Sequence, residues 1–311
     1  MTHFRFSKKT PLLIVILVVL VAIFVYAFRT PEIVPAIPLV IPSEKPIIKK
    51  EEKSSVLIYP EQIVPGDPVF ITTHSTSTVS EILFDGKKIS LITYNGLIHG
   101  LTAIDFNEKV LKHQVVVKLV NGEVITVPIV VTPREKIEKP LGIPDTLGGN
   151  TTEASKTLIQ NLAKENAEIN TVTSGPVQLW KKGFEMPLAD VFITDDYGYD
   201  RKTVGQTIPH KGTDFRAAVG TEVKALNTGV VKIARTYTVY GNTIIIDHGL
   251  GVQTLYMHLS ELKVKEGDTV NVGDVIGLSG KTGYAEGAHL HVSVKVKGLS
   301  IDPMVFLGFW E

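Results

Sequence analysis

Gly287-Ala288-His289-Leu290-His291-Val292-Ser293-Val294 alternates between two kinds of side chain with a period of two. That period is the mark of a β-strand whose two faces differ. His289 and His291 stand side by side on one face, while Leu290 and Val292 turn towards a core. A polar face that carries two imidazoles suits either a metal or a proton-transfer role. Paired histidines on a strand are more commonly satisfied by ordinary hydrogen bonds, so the meaning of this pair depends on what else the chain supplies.

Upstream, His210-Lys211-Gly212-Thr213-Asp214 sets an imidazole and a carboxylate four residues apart, and in an extended segment those positions share a face. A His, an Asp and a second His form a set of three hard and borderline donors. Three protein ligands with a further position open is the pattern of a catalytic zinc, whereas structural zinc takes four, often cysteines. The chain has no cysteine, which excludes a thiolate site. Leu255-Tyr256-Met257-His258-Leu259-Ser260 adds a third histidine in another alternating stretch.

In this order, His-x-x-x-Asp, Tyr-x-His-Leu and Gly-x-His-Leu-His resemble the lysostaphin/LytM-type zinc peptidases of the bacterial cell wall. The resemblance covers roughly residues 180 to 306. Within it lie Gly241 to Gly249, the hairpins of Val264 to Gly283, and Asp196-Tyr197-Gly198-Tyr199-Asp200-Arg201, which is similar to the family's Ser-x-Phe-Gly-x-Arg segment with tyrosine for phenylalanine. It implies that His210, Asp214 and His291 hold Zn2+. It also implies that His258 and His289 act beside the open position, one as base and the other on the oxyanion or leaving amine, without saying which does which. The implied substrate is peptidoglycan, cut at its stems or cross-links. Some members lose the ligands and instead activate cell-wall amidases; here all three ligand positions and both histidines are present. The Val264 to Gly283 hairpins also look like those of biotinyl or lipoyl carriers, a reading that leaves the histidine and aspartate matches unexplained.

The expected fold is mainly β. An N-terminal transmembrane helix would be followed by a small immunoglobulin-like β-sandwich and an all-β antiparallel LytM/lysostaphin-type peptidase domain with almost no helix. The boundaries read as 1–29 for a cytoplasmic stub and anchor, 30–55 for a linker, 56–132 for the sandwich, 133–174 for a connector with one helix, and 175–311 for the peptidase. Pro11 to Phe28 carries no charge, and its 18 residues would span about 27 Å, near the thickness of a bilayer core. Arg5, Lys8 and Lys9 precede it, which places the N-terminus inside and the rest outside the cytoplasmic membrane as a single-pass protein; a cleaved signal peptide is the rival. Pro31, Pro35, Pro38, Pro42 and Pro46 give the linker polyproline II character. Lysine plus arginine and aspartate plus glutamate are balanced at 32 each, so no basic field argues for nucleic acid. Division or elongation proteins are conceivable partners.

Six or seven short β-rich runs, with Asp85-Gly86, Asn95-Gly96 and Asn121-Gly122 as turn signals, define the sandwich. His74, His99 and His113 lack partners at metal spacing and read as surface or loop residues. Glu153 to Ile169 reads as a helix that packs between the domains or covers the catalytic groove. Asp247 and His248 read as a turn after a strand, Tyr256 as packing, Arg201 as a substrate contact or a salt bridge, and the sequon Asn150-Thr151-Thr152 as chance.

Overall fold

The structure, a computed structural model, describes residues 54–310. The expected membrane anchor and nearly all of the linker lie outside the described residues. Among the described residues, no helix is long and apolar enough to cross a membrane.

The first eight strands are β1 (Ser55–Tyr59), β2 (Pro68–His74), β3 (Val79–Phe84), β4 (Lys87–Lys88), β5 (Ser90–Tyr94), β6 (Leu97–Ala103), β7 (Lys112–Leu119) and β8 (Val124–Val130). They form two four-stranded sheets, ordered β1-β2-β6-β5 and β4-β3-β7-β8. Val69 and Ile71 from one sheet and Ile82, Val115 and Val117 from the other meet in one apolar cluster. Asp85-Gly86 and Asn95-Gly96 both have positive φ at each residue, the requirement of the two-residue hairpin turn whose twist matches its strands.

No period-two pattern marks β4 and β5, because the chain changes sheets between them at buried Ile89. His99 and His113 also depart from expectation. They sit on β6 and β7 and are 4% and 8% exposed, because local partners satisfy their rings.

The connector and C-terminal part contain β9 (Glu138–Pro140), α1 (Thr152–Ile169), β10 (Ile193–Asp195), β11 (Asp200–Thr203), β12 (Gln206–Pro209), β13 (Thr213–Arg216), β14 (Glu222–Lys224), β15 (Gly229–Tyr237), β16 (Gly241–Gly249) and β17 (Val252–Leu259). There follow β18 (Glu261–Leu262), β19 (Thr269–Val270), β20 (Val275–Leu278), β21 (His289–Val296), β22 (Leu299–Ile301) and α2 (Pro303–Gly308). The main sheet runs β10-β13-β21-β17-β16-β15-β19, with β22 on β21. The α1 helix starts where Thr151 accepts the Ala154 N–H at its N-terminus, so two residues of the sequon have structural work, Asn150 by accepting the Ile143 N–H at 2.8 Å.

The short helix α2 is the one helix of the C-terminal domain among the described residues, in keeping with the expectation of almost no helix. Asp302 caps it and Pro303 opens it, a start signal that needs no periodic run. It carries Phe306, and together with Trp310 just beyond it joins Phe70, Ile92 and Leu101 of the sandwich in the same core as Trp180 and Phe184. Arg134 strengthens that junction, pairing with Asp67 at 2.8 Å and with Asp302 at 3.5 Å.

Candidate metal centre

Asp214 on β13 and His291 on β21 are direct cross-strand partners, as are Arg216 and His289. Direct partners in an antiparallel pair share a face. Leu290, Val292, Val294 and Val296 point into the core, so His289, His291 and Ser293 must face the other way. His210 lies on the loop after β12. Its backbone is bound on both sides by the Asp196–Arg201 segment: Gly198 N–H donates to its carbonyl at 2.7 Å, and its own N–H donates to Tyr199 O at 2.8 Å. Gly198 has φ 90, a conformation that favours glycine. Gly212 is required for a different reason, since a Cβ there would lie 2.4 Å from His291 Nε2.

His210 Nε2, Asp214 Oδ1 and His291 Nδ1 converge. The distances are 3.2 Å from His210 to Asp214, 3.1 Å from His210 to His291, and 2.7 Å from His291 to Asp214. Their outer atoms fix the tautomers. His210 Nδ1 lies 2.7 Å from Asp196 O, a pure acceptor, so that nitrogen carries the proton. His291 Nε2 lies 2.9 Å from Ser293 Oγ, whose own proton goes to Lys211 O at 2.8 Å. Ser293 therefore accepts from His291 Nε2–H. The two nitrogens facing inward are then bare, and they face a carboxylate oxygen across hydrogen-bond distances. Three lone-pair donors at one point repel unless a cation sits among them, and this donor set fits zinc.

Burial alone would raise the Asp214 carboxyl; hydrogen bonds and charge from His210 and His291 in their protonated forms would outweigh it and hold the group well below the usual carboxylate range. Arg201 also pairs with Asp214 Oδ2 and with Asp195, which leaves Oδ1 directed at the histidines. Burial pushes His291 down to about 4 despite Asp214, so this ring is neutral at neutral pH, as a ligand must be.

His258 follows Met257, the cross-strand partner of His291. Regular alternation would turn His258 to the opposite face. Its φ of 62 breaks that alternation and puts its ring 4.8 Å from that of His289, centroid to centroid. Nδ1 donates to Thr282 O at 2.8 Å, leaving Nε2 bare. Burial first, then the neighbouring His289 and His291, push this ring down to about 3. His289 Nδ1 lies 2.9 Å from Gly287 O, and Nε2 lies 3.8 Å from Asp214 Oδ1.

All five sequence-predicted residues thus gather at one place. Sequence reasoning missed Ser293, Thr282 and Asp196, which set tautomers through a hydroxyl or backbone carbonyls; only the Ser293 position, two beyond His291, carried a sequence signal. Arg201 resolves as an ion-pair partner of Asp214. Asp247 accepts from Ser174 Oγ at 2.5 Å and Gly175 N–H at 3.0 Å. His248 is buried between Thr228 O and Thr254 Oγ1, each at 2.8 Å. Tyr256 is wholly buried and its hydroxyl accepts the Leu226 N–H. A cleft of about 450 Å³ opens over the centre, with Leu158, Leu162 and Asn166 of α1 on one side and His210, His258 and His291 on the other. The helix forms a wall of the cleft.

Residues 208–303 match the model of Peptidase family M23. This segment is an M23 peptidase domain. Over 96 residues the chain is 44% identical to the peptidoglycan DD-endopeptidase ShyA of Vibrio cholerae, covering 31% of this chain and 22% of that protein. Over 132 residues it is 38% identical to the DD-carboxypeptidase/endopeptidase Mpg of Neisseria meningitidis, covering 42% of this chain and 30% of that protein. The match therefore spans less than a third of either relative. The structure of a peptidase M23 from Pseudomonas aeruginosa aligns with TM-score 0.57 and 24% identity, over 79% of this chain and 96% of that one, a likeness of fold alone.

Proposed function

We propose that the protein is a zinc metalloendopeptidase that hydrolyses peptide bonds in peptidoglycan stems or cross-links. The observation that carries this reading is the meeting of His210 Nε2, Asp214 Oδ1 and His291 Nδ1 within 4.8 Å of one another, with their outer atoms held so that the inner lone pairs are bare. When bound, zinc supplies a Lewis acid and lowers the pKa of water towards about 7. The chain's own residues do the rest. Asp214 contributes the one negative ligand, and Arg201 holds its other oxygen. His258 is neutral, with Nε2 bare and Nδ1–H fixed on Thr282 O, so it accepts a proton at Nε2. His289 stands across from it, placed to stabilise the oxyanion or to protonate the departing amine. The similarity to peptidoglycan endopeptidases supports the substrate class.

The sandwich order, 1-2-6-5 against 4-3-7-8, supports an immunoglobulin-like assignment. The uncharged run at 11–28 and the linker after it support a catalytic domain tethered outside the cytoplasmic membrane.

Digestion of purified peptidoglycan, with mass analysis of the products, tests this function. The native chain loaded with zinc is expected to release peptide products that name the bond. His291→Ala and a chelator-treated sample are expected to release none. Intact peptidoglycan after treatment with a chain that binds one zinc would overturn the substrate assignment.

A further inference from the structure

Glu165 on α1 is 6% exposed, and its carboxylate is met by backbone N–H groups. Val239 N–H donates to Oε1 at 2.9 Å and to Oε2 at 3.1 Å, and Tyr240 N–H donates to Oε2 at 3.2 Å. A buried carboxylate is costly unless it is hydrogen-bonded, and here the turn between β15 and β16 supplies the donors.

The carbonyls of the same two residues face the candidate centre. Tyr240 O accepts the His258 N–H at 2.9 Å, and Val239 O accepts the Tyr284 N–H at 2.9 Å. The turn is thus gripped by the helix through its N–H groups and grips the site through its C=O groups. The packing leaves little slack. A Cβ on Gly283 would lie 2.2 Å from Val239 O, and one on Gly241 would lie 2.5 Å from the Thr282 backbone. Thr282 is the residue whose carbonyl orients the His258 ring. His258 itself holds a left-handed backbone conformation, which persists only where its surroundings enforce it.

We propose that Glu165 is a positioning residue for His258, which makes α1 a working part of the active site as well as a connector. The inference rests on the reading of His258 as the proton-carrying histidine of a peptidase. A purely structural role would have Glu165 dock the helix and no more. Glu168 provides the comparison. It ties the same helix to the same hairpin through Arg235 at 2.8 Å and Tyr237 at 3.1 Å, but it touches neither peptide of the turn.

The test uses the full zinc-loaded chain with Glu165→Gln, Glu165→Asp and Glu168→Gln. The glutamine variant keeps the shape and loses the charge; the aspartate variant keeps the charge and loses the reach. Backbone amide hydrogen exchange is read at His258 and at Ile245 in the sheet core, alongside kcat and KM on a peptidoglycan cross-link peptide. Both Glu165 variants should speed exchange at His258 by about tenfold or more while Ile245 stays protected. They should lower kcat about 10-fold to 100-fold, with zinc content intact and KM little changed. Glu168→Gln should do neither. Unchanged exchange at His258 in both Glu165 variants, or an equal effect from Glu168→Gln, would overturn the proposal. If the native chain cleaves no peptide, the proposed function fails, and the exchange data still decide whether Glu165 holds His258.

Discussion

His99 and His113 in the sandwich and His210 and His291 in the peptidase domain are all at least nine-tenths buried, yet their rings are treated differently. His99 lies between Thr72 Oγ1 at 2.8 Å and Tyr94 O at 3.2 Å. His113 lies between Asp85 Oδ2 at 2.6 Å and Val110 O at 3.0 Å. Each of their nitrogens has a partner of its own. His210 and His291 each have one such nitrogen, while the other faces a carboxylate and a second bare nitrogen. Burial of a histidine is therefore uninformative by itself. What sets the two candidate ligands apart is the lone pair that their neighbours leave uncommitted, and His248, satisfied at both nitrogens, belongs with the sandwich pair.

The sharpest challenge to this contrast is a paired substitution. His210→Ala should abolish zinc binding and reduce peptidoglycan cleavage to background, as read by metal analysis and digestion. His99→Ala should retain a full complement of zinc and lose only about 1–3 kcal/mol of stability, for the unsatisfied groups it leaves. Equal metal content in the two variants would erase the distinction.

His248 offers the next largest effect. Burial pushes its pKa from 6.5 down to about 4. The folded state therefore resists a proton that the unfolded chain accepts. Its contribution is fully present above pH 6.5, is lost as pH falls towards 4, and amounts to about 3 kcal/mol across that window. Denaturant melts from pH 7 to 4 should show this acid limb, and His248→Gln should flatten it. An unchanged limb in the variant would return the acid sensitivity to other groups.

Ser293→Ala tests the outer partner of a ligand. It removes the acceptor that keeps the His291 proton on Nε2, and zinc affinity should fall about 10-fold to 100-fold. A competitive chelator titration reads this directly, and native affinity would mean that the tautomer is set elsewhere.

Much of the candidate site was legible in sequence because its spacing follows the period of a strand. His289 and His291 had to share a face, and Asp214 lies opposite His291 on the neighbouring strand. His258 was legible only through its motif, since alternation alone would turn it towards the core. Its left-handed backbone reverses that direction, and no propensity announces such a residue. The partners that set tautomers were hidden for another reason. Backbone carbonyls such as Asp196 O and Thr282 O are available at every residue, so no residue type marks the ones that are used. Glu165 falls at the helical spacing of Leu158, Leu162 and Ile169 on the buried face of α1, but no residue type announces that backbone N–H groups of a distant turn meet its carboxylate there.

By itself, the sequence determined that the described chain is largely β, where its turns fall, that one helix of about the right extent joins its parts, and which five side chains to look for at a single candidate centre. Those features depend on local period, on turn residues that tolerate positive φ, and on a motif. The tertiary structure decided that the sandwich and the peptidase share a core through Phe70, Phe306 and Trp310, that α1 walls the cleft, and which nitrogen of each imidazole is bare. Those outcomes depend on contacts between residues far apart in sequence, where a hydrogen bond or an aromatic contact is chosen by geometry and is not encoded in any neighbouring stretch.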